Sequence, residues 1–223
     1  IYSGIKIYEW YRDKNKNNEI AKKIKETVIV ESNGKNKEEY LIDFDKLKEQ
    51  NNEAIAWIKV NNTNIEYPVV KTKNNEFYLN HSFDKSENLG GWIFADYKNK
   101  FNGTDKNIVI YGHNMKDNSM FGTMQNILNP EWYNNEENTN IILKTEGKNY
   151  IYKVFSIYRI ENEDYYIKTE FSNDSEFEQF LNTLKARSIR DFNMDMLESD
   201  SILTLSTCDN NNKYRVVLHA KKI

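Results

Sequence analysis

Long hydrophobic runs are missing from this chain. No stretch approaches the ~20 consecutive apolar residues that a membrane-spanning helix requires. Cysteine is almost absent. The single one, Cys208, excludes an internal disulfide framework and a cysteine-built zinc site. With 2 Pro and 8 Gly in 223 residues, the chain is neither a linker nor a low-complexity segment. Charge of one sign is lacking too. The 31 basic and 34 acidic residues leave a net −3, which gives no footprint for nucleic acid and little attraction to an anionic membrane surface. No nucleic-acid partner is expected.

What is present is aromatic. The 15 Tyr, 11 Phe and 4 Trp supply the large side chains that a disordered chain lacks. The length suits one domain, or one domain with an appendage. The chain opens on Ile1 rather than Met, so an upstream segment is expected. Residues 1–11 mix apolar and aromatic side chains and then turn highly charged. They read either as the flank just beyond a membrane anchor, with aromatics at the interface, or as the start of an ordinary amphipathic helix.

Periodicity divides the chain. Ile20, Ile24 and Val28 recur at helical spacing within residues 1–30. Asn33-Gly34 is a turn signal. Asp43 is placed to cap a second short helix carrying Phe44 and Leu47. From Ala54 the period shortens to that of strands. Ala56, Ile58 and Val60 alternate, and after Asn61-Asn62 so do Ile65, Tyr67 and Val69. Residues 92–95, 107–111, 140–144, 150–155, 202–205 and 214–218 are further strand-like runs, with a hairpin turn at Glu146-Gly147-Lys148. About eight strands bounded by turns predict a closed or nearly closed β-barrel. One helix interrupts them: Ser175 and Glu178 have capping-box spacing, and Phe177, Phe180, Leu181 and Leu184 share one face, which simple core packing explains.

Three residues stand out chemically. Cys208 ends the apolar strand at the edge of the polar run 209–213. A lone cysteine is more often a small buried hydrophobe, but one at a strand rim can meet a substrate. Arg215 follows early in the next strand, and the hairpin brings it back beside Cys208. There an arginine can lower the thiol pKa and donate to an oxyanion. A surface arginine is the blander alternative. Of the three histidines, His81 lies in a polar loop and His219 within the last strand. His113 follows the strand 108–111 after a flexible Gly112, in the strand-end loop position that suits a functional group. The residues alone leave this choice open. A tyrosine-phosphatase-like loop does not fit. Six residues separate Cys208 from Arg215, none of them Gly, and no His immediately precedes the Cys. The papain-type signature is absent as well.

Taken together, Thr204-Leu205-Ser206-Thr207-Cys208, Arg215-Val216-Val217 and Ala220-Lys221 resemble the C-terminal signature of sortases, in the form found in class B. Ile110-Tyr111-Gly112-His113-Asn114-Met115, continuing through Ser119-Met120-Phe121-Gly122, resembles the segment carrying the sortase histidine. Gly91-Trp92-Ile93-Phe94-Ala95-Asp96-Tyr97 and Tyr67-Pro68-Val69-Val70 fit the class B pattern. The resemblance runs from about Trp57 to the end. It implies an eight-stranded sortase β-barrel with two N-terminal helices and a helix between strands six and seven. The expected division is a helical extension over residues 1–50 and a catalytic barrel over 51–223.

The resemblance also implies an activity: a cysteine transpeptidase held by an N-terminal anchor on the extracellular face of the membrane of a Gram-positive bacterium. Cys208 attacks the Thr carbonyl of a C-terminal sorting motif on surface proteins. His113 is the general acid/base, and Arg215 steadies the oxyanion. An amine from a peptidoglycan peptide or a pilin lysine resolves the thioester. Leu79, Tyr166, Ile167 and Ser206 are the implied substrate-groove residues, although core packing explains Leu79 and Ile167 equally. No metal or cofactor is expected. Asp209 beside the cysteine is not expected to join a triad, because an acidic neighbour raises a thiol pKa. Two other readings remain at this point: a cysteine hydrolase on the same barrel with water as acceptor, and a surface binding module in which Cys208 is merely packed.

Overall fold

A computed structural model describes residues 2–31, 40–161, 163–208 and 213–223. The first helix, α1 (Tyr2–Val28), buries Ile24 and Val28, one turn apart. Helical structure stops at Val28 rather than reaching residue 30. The β-branched pair Ile29-Val30 enters a short strand, β1 (Ile29–Glu31), which pairs antiparallel with β2 (Tyr40–Ile42). Nothing in the sequence pattern announces this small sheet. The Asn33-Gly34 turn lies outside the described residues. Helix α2 (Phe44–Gln50) starts as predicted. Asp43 accepts the Lys46 N–H at 3.0 Å, and Phe44 and Leu47 are buried.

Eight strands then close into a barrel. They are β3 (Ala54–Val60), β4 (Glu66–Val70), β5 (Phe94–Ala95), β6 (Asn107–His113), β7 (Asn140–Thr145), β8 (Lys148–Glu161), β9 (Ile202–Cys208) and β10 (Tyr214–Lys222). Around the barrel the order is β10-β8-β7-β3-β4-β5-β6-β9, with β10 pairing back onto β9. The β4–β5 and β6–β9 pairs are parallel and the others antiparallel. The predicted hairpin turns through Gly147, whose φ of 75° is open to glycine at little cost. A short helix, α3 (Pro130–Tyr133), lies between β6 and β7, and α4 (Asp174–Arg187) joins the sixth and seventh barrel strands.

Two local expectations need correction. The α4 cap is Asn173, not Ser175. Asn173 has extended backbone, φ −163° and ψ 171°, and its side chain accepts the Glu176 N–H at 2.9 Å. The helix therefore begins before Ser175, which lies within its first turn. The second correction concerns His113. Strand β6 continues through Gly112 to His113, so His113 is the last strand residue rather than a loop residue. Gly112 is no hinge. A Cβ there would fall 2.5 Å from Ile93 Cδ1 and 2.7 Å from Phe121 Cγ, so packing demands the glycine.

The main core is one continuous buried cluster that joins barrel residues such as Trp57, Ile58, Leu143, Leu203, Leu205 and Leu218 with Ile24 of α1 and Leu47 of α2. A second cluster forms where Phe177, Phe180, Leu181 and Leu184 of α4 pack with Phe155, Tyr158, Tyr166 and Val217. Burying each of these large side chains stabilises by roughly 1.5–3 kcal/mol. That anchors α4 and the 3-10 turn Tyr165–Ile167 ahead of it against β8 and β10.

Candidate active site

Strand register assembles the site. In the parallel pair, His113 of β6 stands level with Cys208 of β9. In the antiparallel pair, Val217 of β10 faces Ser206 of β9, and Leu218 faces Leu205. Continuing that register toward the turn brings Arg215 level with Cys208 as well. Residues level with one another in adjacent strands share a face of the sheet. The three positions that the sequence singled out thus form one row across β6, β9 and β10. Thr207 fixes the end of the row. Its Oγ1 accepts the Val216 N–H at 2.9 Å, holding β10 beside Arg215 with a side chain where the backbone ladder ends.

His113 is 9% exposed, buried yet at the rim. Its Nε2 lies 2.7 Å from the Leu79 carbonyl oxygen. A carbonyl can only accept, so Nε2 carries the proton and Nδ1 is the nitrogen able to take one. The backbone of His113 is held too, since its carbonyl accepts the N–H groups of Met115 (3.1 Å) and Phe121 (2.9 Å). The other histidines stand elsewhere. His81 stacks on Phe77 with ring centroids 3.9 Å apart, and its Nδ1 is 2.7 Å from the Phe77 carbonyl oxygen. His219 is wholly buried, and burial drives its pKa down to about 3.

Gly91 stands directly against His113. Its φ is +54°, and a Cβ there would lie 2.8 Å from His113 Cδ2, 2.8 Å from Leu79 O and 2.4 Å from Tyr78 O. The glycine supplies both the left-handed backbone and the room that the imidazole needs. Helix α1 reaches the same point. Asn17 Nδ2 donates to Gly91 O at 3.0 Å and to Asn88 Oδ1 at 3.2 Å, while Asn17 Oδ1 accepts from the Ser82 hydroxyl at 2.5 Å. Asn88 Nδ2 in turn donates to Asp13 O at 2.8 Å.

The four groove candidates divide into two places. Leu79 meets His113 through its backbone carbonyl, and its side chain is half-buried against the core. Tyr166 and Ser206 are fully buried and joined, hydroxyl to hydroxyl, at 2.9 Å. Ile167 is half-buried next to Tyr166 and packs against both clusters. The sequence reading gave no role to Gly91, Asn17 or Thr207. A signal existed for one of them: Gly90-Gly91 is an adjacent glycine pair in a chain with only 8 glycines. Asn17 carried none, because an asparagine within a charged helix reads as solvent-facing. No group of acidic, His or Cys side chains among the described residues could hold a metal ion, and no described helix is long and apolar enough to cross a membrane.

Comparison with known proteins places this geometry. The family described as the sortase domain matches residues 58–223. Sortase B of Listeria monocytogenes is 33% identical over 231 residues, covering 100% of this chain and 92% of that protein. The crystal structure of sortase B from B. anthracis superposes with a TM-score of 0.83 at 30% identity, over 94% of this chain and 96% of that one. A Staphylococcus aureus sortase B–substrate complex gives 0.76 at 34% identity, over 81% and 84%. The barrel, the helix between its sixth and seventh strands and the full-length likeness agree: the chain belongs to the sortase family, among its class B members, and is a cysteine transpeptidase.

Proposed function

We propose that the chain cleaves a C-terminal sorting motif of surface proteins after its Thr and transfers the acyl group, through a thioester on Cys208, to an amine. The observation that carries this reading is the row His113, Cys208, Arg215 across β6, β9 and β10. The Cys208 thiolate adds to the Thr carbonyl carbon, and the C–O double bond opens to an oxyanion. Arg215 donates hydrogen bonds to that oxygen. His113, protonated on Nδ1, gives this proton to the leaving amine as the C–N bond breaks, and the thioester remains. The incoming amine then attacks the thioester, His113 takes its proton, and the Cys208 thiolate leaves. The Leu79 carbonyl supports this cycle by holding the other ring nitrogen, so protons pass at Nδ1 alone.

In the same reading, Leu79, Tyr166, Ile167 and Ser206 are the residues of the sorting-peptide groove. The acceptor is a peptidoglycan peptide amine or a pilin lysine. Residues 1–50 form a helical extension and 51–223 the catalytic barrel, held on the extracellular face of a Gram-positive membrane by an N-terminal anchor. The S. aureus relative solved with a substrate is consistent with a peptide groove on this fold.

A panel of peptides bearing Asn-Pro-type and Pro-x-Thr-Gly-type motifs tests the reading. Cleavage must depend on Cys208 and vanish in Cys208→Ala with the fold intact. Undiminished cleavage by that variant sinks the proposal. Adding glycine peptides or a lysine-containing acceptor must yield an amide product. Only free acid, at every acceptor concentration, would make the chain a cysteine peptidase with water as acceptor.

A further inference from the structure

Behind the 3-10 turn Tyr165–Ile167 lies a run of buried polar side chains that the proposed chemistry does not use. Their hydrogen-bond directions follow from the groups themselves. Asn107, at the start of β6, has its side-chain amide nitrogen 2.9 Å from the Lys168 carbonyl oxygen and 3.4 Å from that of Tyr166. Carbonyls only accept, so the NH2 faces them and Oδ1 faces away. The Thr204 hydroxyl must then donate to Asn107 Oδ1, at 2.7 Å. With its one proton committed, Thr204 Oγ1 accepts from His219 Nδ1 at 2.8 Å. That fixes the His219 tautomer and leaves Nε2 to accept from the Tyr158 hydroxyl at 2.9 Å. Tyr158 in turn accepts from the Tyr165 hydroxyl at 3.3 Å.

The donors therefore run one way, from Tyr165 through Tyr158, His219, Thr204 and Asn107, and end on the carbonyls of Tyr166 and Lys168. The chain leaves from and returns to the same turn. Asn107, Thr204 and His219 are fully buried, so each member depends on the next for its hydrogen bonds. The circuit staples the turn to β6, β9 and β10. The turn then presents Tyr166, whose hydroxyl meets Ser206, two residues before Cys208.

We propose that Asn107, Thr204 and His219 are positioning residues that set sorting-peptide affinity by holding Tyr166 and Ile167 in place. This rests on the groove assigned to those residues above. The circuit touches neither His113 nor Arg215 through any of these bonds, so it governs binding rather than the chemical steps.

Thr204→Val tests this. It keeps the β-branched shape and removes the one hydroxyl that joins Asn107 to His219. Kinetics are measured with whichever peptide of the panel the wild type cleaves fastest. The expected result is a rise of about 10-fold in peptide KM, with kcat and the amine KM each within about 2-fold of wild type. The alkylation rate of Cys208 by iodoacetamide stays within the same margin, and amide hydrogen exchange at residues 166–168 speeds up. A peptide KM unchanged while the melting temperature falls overturns the proposal and makes the circuit purely structural. A fall in kcat or in Cys208 alkylation with unchanged KM overturns it too. Should Thr204→Val not fold, Tyr165→Phe cuts the circuit at its half-buried end, and an unchanged peptide KM there has the same force. Wild-type cleavage that survives Cys208→Ala defeats the transpeptidase reading, whereas Cys208-dependent cleavage with no change in KM defeats this inference alone.

Discussion

Gly91 touches His113 so closely that a methyl group on its Cα would come within 2.8 Å of the imidazole Cδ2. The same methyl would meet the Tyr78 carbonyl oxygen at 2.4 Å, and backbone cannot swing aside as a side chain can. The φ of +54° adds strain for any residue with a Cβ.

Gly91→Ala is therefore expected to lower stability by about 1–3 kcal/mol and transfer activity by more than 10-fold, because relief requires moving Leu79 O or the His113 ring. Thermal melting together with kcat/KM checks this. A variant that loses stability but keeps full activity would separate Gly91 from His113.

Asn17 transmits α1 to the same point. Asn17→Ala leaves the buried Gly91 carbonyl and Ser82 hydroxyl without this partner, an expected cost of about 1–3 kcal/mol. Asn17→Asp sets a carboxylate against the Gly91 carbonyl and is expected to be worse. Denaturant midpoints of the two variants rank them, and equal midpoints would argue against this direction of the hydrogen bonds.

His219 predicts a pH dependence. Its pKa falls from 6.5 to about 3 through burial, so the folded protein keeps it neutral. The unfolded chain binds a proton there below about pH 6.5 while the folded one does not, so stability falls as pH drops. Full stability is present above 6.5 and is lost progressively between 6.5 and about 3. Between pH 7 and pH 5 this group is expected to remove about 2 kcal/mol of unfolding free energy. Ring resonances of His219 that stay in the neutral form down to pH 4 would bear this out. Titration near 6.5 would contradict it.

Arg215 offers a test by shape. A guanidinium presents several donors in a rigid fork, whereas an ammonium is a point charge. Arg215→Ala is expected to reduce kcat by about 10²–10³-fold, as for loss of an oxyanion donor, and Arg215→Lys to recover only part of it. A peptide KM that rises with kcat unchanged would instead give Arg215 a binding role.

The local sequence determined a good deal. The Asp43 cap, the Phe177, Phe180, Leu181 and Leu184 stripe and the Gly147 turn are all written in short-range pattern, and each forms as read. Strands form after Ala54 as well, but the alternation does not carry into burial: Ala56, Trp57 and Ile58 are all buried, and the second strand starts at Glu66, after Ile65. The candidate residues were legible because Cys208 and His113 end apolar runs and Arg215 follows one turn later. Short-range pattern misled where competing signals lay close together. Asn173 captured the cap from Ser175 because its extended backbone stands immediately before the first helical residue, with its side chain on the Glu176 N–H. Gly112 read as a flexible link but is a packing position.

What only the tertiary structure decided was register and who touches whom across long separations. His113 and Cys208 are level because β6 and β9 run parallel, a pairing of strands distant in sequence that no local period encodes. The Leu79 carbonyl fixes the His113 tautomer, and Gly91 and Asn17 back it, through contacts that depend on barrel closure and helix docking. The circuit from Tyr165 back to Lys168 is of the same kind. Each of its residues looks ordinary in the sequence, and direction arises only once burial removes water and forces every donor to find an acceptor.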